Sequence, residues 1–181
     1  DSSFKAICEG KTGVKNITSF DGRDFPVQIA AEIVGFDPLS VMDAKEVKKV
    51  DRVLQLGLNA AKEAMADANF GEFDAENFGV SSAAGIGGLS NIEKNSNILL
   101  EKGPRRISPF FIPSALVNML GGLVSIEHGL KGPNLSSVTA CAASTHAIIE
   151  AAKTIIIGEA EKMLVVGSES TVCGVGIGGF A

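Results

Sequence analysis

Between Asp43 and Ala68, apolar residues recur near the helical period. Val47, Val50, Val53, Leu54, Leu58, Ala61 and Met65 share one face, and Lys45, Lys48, Lys49 and Asp51 lie off it. The spacing predicts one long amphipathic helix. Phe78–Ala84 is a short apolar run that ends in Gly85-Ile-Gly-Gly88 and gives way to a polar, helix-like stretch, which reads as strand, turn and helix. Pro104, Pro109 and Pro113 punctuate a loop, and a small-residue helix from Ser114 to about His128 follows, ended by Gly129 and Gly132-Pro133. Asn134–Val138 reads as a strand, Ala142–Ile157 as an apolar helix stopped by Gly158, and Met163–Gly167 as another strand. Strands alternating with helices predict an α/β layer around a largely parallel sheet. No internal repeat or heptad interrupts this order.

The chain of 181 residues is long enough for one domain, 1–181, around one core. Its 45% apolar content and mean hydropathy of +0.26 exclude a disordered segment. A net charge of -5 and a pI near 5.1 speak against nucleic acid as a partner and leave only local basic patches for docking. No apolar stretch approaches the length of a membrane span, and no basic-then-apolar leader opens the chain. Three widely spaced cysteines, Cys8, Cys141 and Cys173, suit neither a disulfide framework nor a zinc site and point to a reducing compartment. A cytoplasmic protein that holds no metal is the expectation. Neither Asp1 nor Ala181 has the look of a natural terminus.

Leu135-Ser-Ser-Val-Thr-Ala-Cys-Ala-Ala-Ser-Thr145 has the form of a strand, a sharp turn and a helix, with a cysteine at the turn. At a helix N-terminus the partial positive charge and free N–H groups favour an anionic sulfur, and Ala140, Ala142 and Ala143 leave room beside it. On local pattern alone, Cys141 is either a nucleophile or a small buried thiol. His146 lies five positions on, about 140° around the helix from Cys141, off the face that a three- or four-residue spacing shares. It reads as structural. His128 reads as a helix-terminal donor to unpaired carbonyls. Gly85-Ile-Gly-Gly88 lacks the spacing of a phosphate-binding loop, and Cys8 and Cys173 read as buried small residues.

Four blocks then make a specific pattern. Gly85-Ile-Gly-Gly-Leu89, the run from Gly103 through Pro104-Arg-Arg-Ile-Ser-Pro-Phe-Phe-Ile-Pro113 to Met119, Thr139-Ala-Cys-Ala-Ala-Ser-Thr-His-Ala147 and Gly176-Ile-Gly-Gly-Phe180 together resemble the β-ketoacyl synthases of the second type, in order and across the whole chain. The resemblance implies a thiolase-like fold, of which this chain is the N-terminal αβα half of an αβαβα sandwich. It implies a homodimer in which Cys141 takes an acyl group from acyl carrier protein before decarboxylative condensation with malonyl carrier protein. The substrates ride on the carrier's phosphopantetheine, and no other cofactor is expected. It implies further that the histidines assisting decarboxylation lie in a second half beyond Ala181, and that a first strand belongs ahead of Ser2.

Residue by residue, the resemblance places Ile86, Phe111 and Phe180 along the acyl-chain pocket, with Phe111 reaching in from the neighbouring subunit, whereas Phe110 reads as plain core. It places Lys45, Lys48, Lys49, Arg105 and Arg106 where the acidic carrier docks, and a solvated basic face is the bland alternative. Two other functions stay open from sequence: a polyketide-type ketosynthase, and a non-catalytic dimerisation or scaffold fragment.

Overall fold

The structure is a computed structural model that describes residues 2–181. In chain order the elements are α1 (Ser2–Cys8), β1 (Val14–Asn16), β2 (Ile29–Ala31), α2 (Ala44–Val47), α3 (Arg52–Ala68), β3 (Phe78–Ala83) and α4 (Leu89–Lys102). They continue with α5 (Phe111–Ala115), α6 (Met119–His128), β4 (Asn134–Ser137), α7 (Ala143–Ile156), β5 (Lys162–Gly167) and α8 (Gly174–Phe180). The chain forms two compact units, Asp37–Ser170 and the residues up to Phe36 together with Thr171–Ala181.

In the larger unit three parallel strands run in the order β4-β3-β5. All six residues of β3 are buried, because helices cover both faces of the sheet. Strand alternation sorts its side chains. Phe78 and Val80 join Val53, Leu54 and Ala61 of α3, Leu120 and Val124 of α6 and Leu164 and Val166 of β5 in the main core. Phe70 and Phe73 close over Phe78 edge-on, with ring centroids 5.4 and 5.1 Å away. On the other face Ala83 meets Ala143 and Ala147 of α7, whose buried positions Ala143, Ala147, Ala151 and Thr154 recur at helical spacing. Small side chains let α7 lie close, and the buried Ser81 hydroxyl donates to the Ala147 carbonyl at 2.9 Å. The expected parallel α/β layer is therefore present as an αβα sandwich.

The predicted long helix over Asp43–Ala68 is two helices. Asp43 accepts the Lys45 and Glu46 N–H groups to start α2, and Asp51 accepts the Val53 N–H to start α3, so an aspartate inside the apolar period restarts the helix. The predicted helix from Ser114 is also two, parted at Leu116, whose ψ of 132° is extended. Gly88 explains the break. Its N–H donates to the Ala115 carbonyl at 3.2 Å, and a Cβ there would lie 2.7 Å from both the Ala115 Cα and the Ser114 oxygen. The helix after Cys141 and the strands β3, β4 and β5 fall within a residue or two of their expected positions.

In the smaller unit β1 pairs antiparallel with β2, and Phe20 meets Phe25 edge-on at 5.3 Å. The Glu32 carboxylate accepts the Thr18 N–H and hydroxyl and the Ser19 N–H, and its pKa is held down to about 2 by the Ser19 hydroxyl first, then by Thr18, with the Ser19 N–H adding least. α1 buries none of its residues, so Cys8 is exposed, contrary to the expectation of a buried thiol, while Cys173 is buried as expected. α8, built from Gly174-Val-Gly-Ile-Gly-Gly-Phe180, is a helix that its glycines did not foretell.

Gly132 tests the packing at the start of the sheet. A Cβ there would lie 2.8 Å from the Phe78 carbonyl carbon and 2.9 Å from the Gly79 nitrogen, both backbone atoms that cannot swing aside. Gly132→Ala should cost about 3 kcal/mol in urea unfolding, whereas Gly122→Ala, with open space around its Cβ, should be neutral or stabilising.

Candidate active site

A parallel sheet sends the segments that follow its strands out on one side. Here those segments are Ala84–Gly88 after β3, Val138–Ala142 after β4 and Ser168–Ser170 after β5. Cys141 lies in a 3-10 turn, Ala140–Ala142, that leads into α7, and it is exposed. The residue before it, Ala140, has φ of 49°, a left-handed conformation that costs a residue with a Cβ and marks a sharp elbow. No side chain caps α7, and among the described residues no acceptor takes the Cys141 N–H. The turn thus offers a free backbone donor beside a reachable sulfur.

His146 faces other groups. Its Nδ1 lies 3.4 Å from the Thr139 hydroxyl and its Nε2 3.6 Å from Glu150, an arrangement that braces the turn and fits the structural reading. Glu150 is held below its usual carboxylate range by Lys153 first, with His146 adding. His128 does not cap carbonyls through Nε2. That atom is buried with no hydrogen-bond partner among the described residues, and Gly129 in the left-handed conformation ends α6 instead.

Ile86 stands beside the elbow. It is 40% exposed, and its N–H donates to Glu169 Oε2 at 2.6 Å. Phe111 opens α5 half-buried, its carbonyl accepting from Asn91 and from Ser114. Phe110, expected in the core, is 43% exposed, and its ring instead carries the Lys49 ammonium 5.2 Å from its centroid. Phe180 belongs to the smaller unit, on α8, and is 79% exposed.

Three of the five predicted docking cations, Lys48, Lys49 and Arg106, line one cleft of about 410 Å³, and Lys94 joins them. Lys45 and Arg105 are exposed nearby in sequence but outside the cleft lining. The floor is a polar network. Asp51 Oδ1 caps α3 through Val53 and Oδ2 caps α4 through the Asn91 N–H at 2.9 Å. Asn91 bonds Ser114, and the buried Asn95 spans Asn91 and the Ser108 N–H. Gln55 holds the cation-bearing linker by donating to the Val47 and Val50 carbonyls at 3.2 and 3.3 Å. Lys49 is paired with Glu46, while Lys48, Lys94 and Arg106 have no carboxylate partner among the described residues. Lys94 was legible as a face. Asn91, Lys94, Asn95 and Ile98 are spaced as one stripe of α4, and all four line the cleft. Among the described residues no cluster of His, Cys, Asp or Glu is placed to hold a metal ion, and no helix is long and apolar enough to cross a membrane.

Residues 1–181 match the family described as "Beta-ketoacyl synthase, N-terminal domain". The chain belongs to the β-ketoacyl synthase family. It is 47% identical over 180 residues to the 3-oxoacyl-[acyl-carrier-protein] synthase 2 of Coxiella burnetii, covering 98% of this chain and 44% of that protein. It is 41% identical over 182 residues to the synthase of the same name from Vibrio cholerae, covering 99% and 44%. The chain therefore spans less than half the length of these curated relatives. Among solved structures it resembles the ishigamide ketosynthase/chain length factor, with a TM-score of 0.77 at 24% identity over 92% of this chain and 47% of that one. It also resembles AntDE:AntF, a type II polyketide acyl-carrier protein in complex with its ketosynthase, with a TM-score of 0.72 at 24% identity over 76% and 40%. These likenesses bear out the thiolase-like ketosynthase fold, and the relatives bear out the second type.

In this ketosynthase domain Asp51 is the joint of the cleft. Burial pushes its carboxyl above the ordinary 3.8, the charge of Glu169 adds to the rise, and the backbone donors oppose it. A raised pKa means that its contribution to stability is fully present below the ordinary value and is lost as pH rises through the folded one. Asp51→Ala removes two helix caps and should cost about 2–3 kcal/mol. Urea unfolding from acid to neutral pH should show the gap between wild type and variant narrowing as pH rises.

Proposed function

We propose that the protein carrying this chain is a β-ketoacyl-acyl carrier protein synthase of fatty-acid elongation, with Cys141 as its nucleophile. The observation that carries the reading is the exposed Cys141 on a strained elbow at the strand-end side of a parallel sheet, in a chain 47% identical to a 3-oxoacyl-[acyl-carrier-protein] synthase 2. The Cys141 sulfur attacks the thioester carbonyl of an acyl carrier protein. The oxyanion is met by the Cys141 N–H and a second donor outside this chain, and collapse expels the phosphopantetheine thiol and leaves the acyl group on Cys141. Malonyl carrier protein then loses carbon dioxide, and its carbanion attacks the acyl-cysteine. The products are a β-ketoacyl carrier protein and the free thiolate. By family resemblance, histidines outside this chain assist that second stage.

By family resemblance the acyl tail runs beside Ile86, with Phe111 supplied across a homodimer, and such apolar side chains suit a hydrocarbon. The carrier docks its acidic surface on Lys45, Lys48, Lys49, Arg105 and Arg106, with Lys94 completing the cleft. Concentrated cations on a chain of net charge -5 favour this, because they steer an acidic partner to one place. The reaction runs in the cytoplasm and draws on no metal or redox cofactor, its substrates being carried on phosphopantetheine.

Incubating the full-length protein with a medium-chain acyl carrier protein should add one acyl mass, mapped by digestion to Cys141 and absent in Cys141→Ser. A full-length protein that takes no adduct, or takes it equally on the exposed Cys8, defeats the reading. Reversing charge at the cleft, Lys48→Glu with Arg106→Glu, should raise KM for the acyl carrier about tenfold and leave kcat for acylation nearly unchanged. Added salt should shrink the difference.

A further inference from the structure

Glu169 carries no assignment from sequence, yet its carboxylate joins the segments that follow β3 and β5. Oε2 accepts the Ile86 N–H at 2.6 Å, and Oε1 accepts the Ser170 N–H at 3.1 Å. A Cβ built on Gly85 would lie 2.9 Å from that same Oε2 and 3.5 Å from the Ala140 carbonyl oxygen. The carboxylate and the peptide that precedes Cys141 therefore both close on the bare Cα of Gly85.

The segment they enclose cannot hold itself. Gly85, Gly87 and Gly88 surround Ile86, and Gly87 has φ of 87°, so the local sequence does little to fix the backbone at Ile86 itself. Its ends are tied by backbone bonds, Ala84 N–H to Ser137 at 3.4 Å and Gly88 N–H to Ala115 at 3.2 Å. At Ile86 the tie is the Glu169 side chain, a charge-assisted bond in the middle of the loop. The Ile86 side chain, well exposed, has little packing of its own to fix it.

We propose that Glu169 is a positioning residue for acyl-chain selection: by holding the Ile86 N–H it fixes the Ile86 side chain at the mouth of the acyl pocket and so sets which chain lengths reach Cys141. The inference rests on the reading of Ile86 as pocket lining and Cys141 as acyl acceptor. A carboxylate is the group the site needs. Both oxygens take N–H donors, so an amide at this position satisfies one and turns its own NH2 toward the other.

The test uses the full-length protein as wild type, Glu169→Gln and Glu169→Ala. Hydrogen exchange of the 84–88 segment should be about tenfold faster in both variants, with β3 unchanged. In a series of donors from acetyl to hexadecanoyl, kcat/KM for Cys141 acylation should spread about tenfold less between the best and worst long-chain donors, while the acetyl donor, which carries no chain to sort, stays within about twofold. Unchanged exchange overturns the anchor. Faster exchange with an unchanged chain-length spread overturns the selective role, and so does an equal loss for every donor, acetyl included, which marks a merely structural residue. If Glu169→Ala fails to fold, the isosteric Glu169→Gln decides by the same readouts. Failure of the parent reading is seen separately, in the wild type, as no acyl adduct at Cys141 from any donor; the selection role then falls with it.

Discussion

Everything at the candidate site depends on β3 being buried on both faces. A strand in that position must be apolar or small, and its two serines must find partners inside the protein. Ser82 finds them on β4, at the Leu135 carbonyl and the Ser136 hydroxyl, and so helps lock the strand pair. Ser81 finds the Ala147 carbonyl on α7. That second bond, with Ala83 against Ala143 and Ala147, seats α7 tightly on the sheet and thereby fixes the helix end that carries Cys141. A larger residue at any of these alanine positions pushes α7 away from the sheet. Parallel pairing on both sides of β3 does the rest, because it brings the Ile86, Cys141 and Glu169 segments out at one end.

The second constraint is electrostatic. The chain is acidic overall, yet Lys48, Lys49, Lys94 and Arg106 converge on one cleft. They are not there to neutralise Asp51: the charge that acts on that carboxyl is Glu169's, which makes its burial harder. Asp51 is tolerated because its oxygens satisfy N–H groups in the first turns of α3 and α4, and so tie the Val47–Asp51 segment to α4, the two sides of the cleft that they share. Stability and the geometry of a cationic surface are thus drawn from one buried carboxylate, with Gln55 pinning the linker that presents Lys48 and Lys49.

Period and punctuation in the sequence carry the layer order, the three parallel strands and the turn at Cys141, because each depends on local pattern: alternation, apolar runs and glycine stops. They do not carry the helix breaks at residues 48–51 and at Leu116. There an aspartate cap and the close approach of Gly88 to Ala115, both tertiary in effect, override a continuous apolar period. Phe110 and Cys8 were misplaced for a related reason: burial of a lone apolar residue is decided by what packs over it, and neither local run contains that information. Among the candidate residues, local pattern put Cys141 at a turn but left its role open, and the basic clusters drew their meaning from the family resemblance. Lys94 needed the α4 stripe, and Glu169 gives no signal in sequence at all, since its partner is 83 residues away.

The elbow at Cys141 shows how such long-range contacts serve chemistry. An alanine at φ of 49° persists only where its neighbours leave it no better choice. Here the following turn is closed by the Ala142 N–H to the Thr139 carbonyl at 3.0 Å, Thr139 is braced by His146, and the Ala140 carbonyl lies over Gly85. A relaxed backbone at Ala140 would turn the Cys141 N–H and sulfur to new directions together. The strain is therefore best understood as the condition for presenting both from a single residue, held by a sheet too tightly packed to let the turn relax.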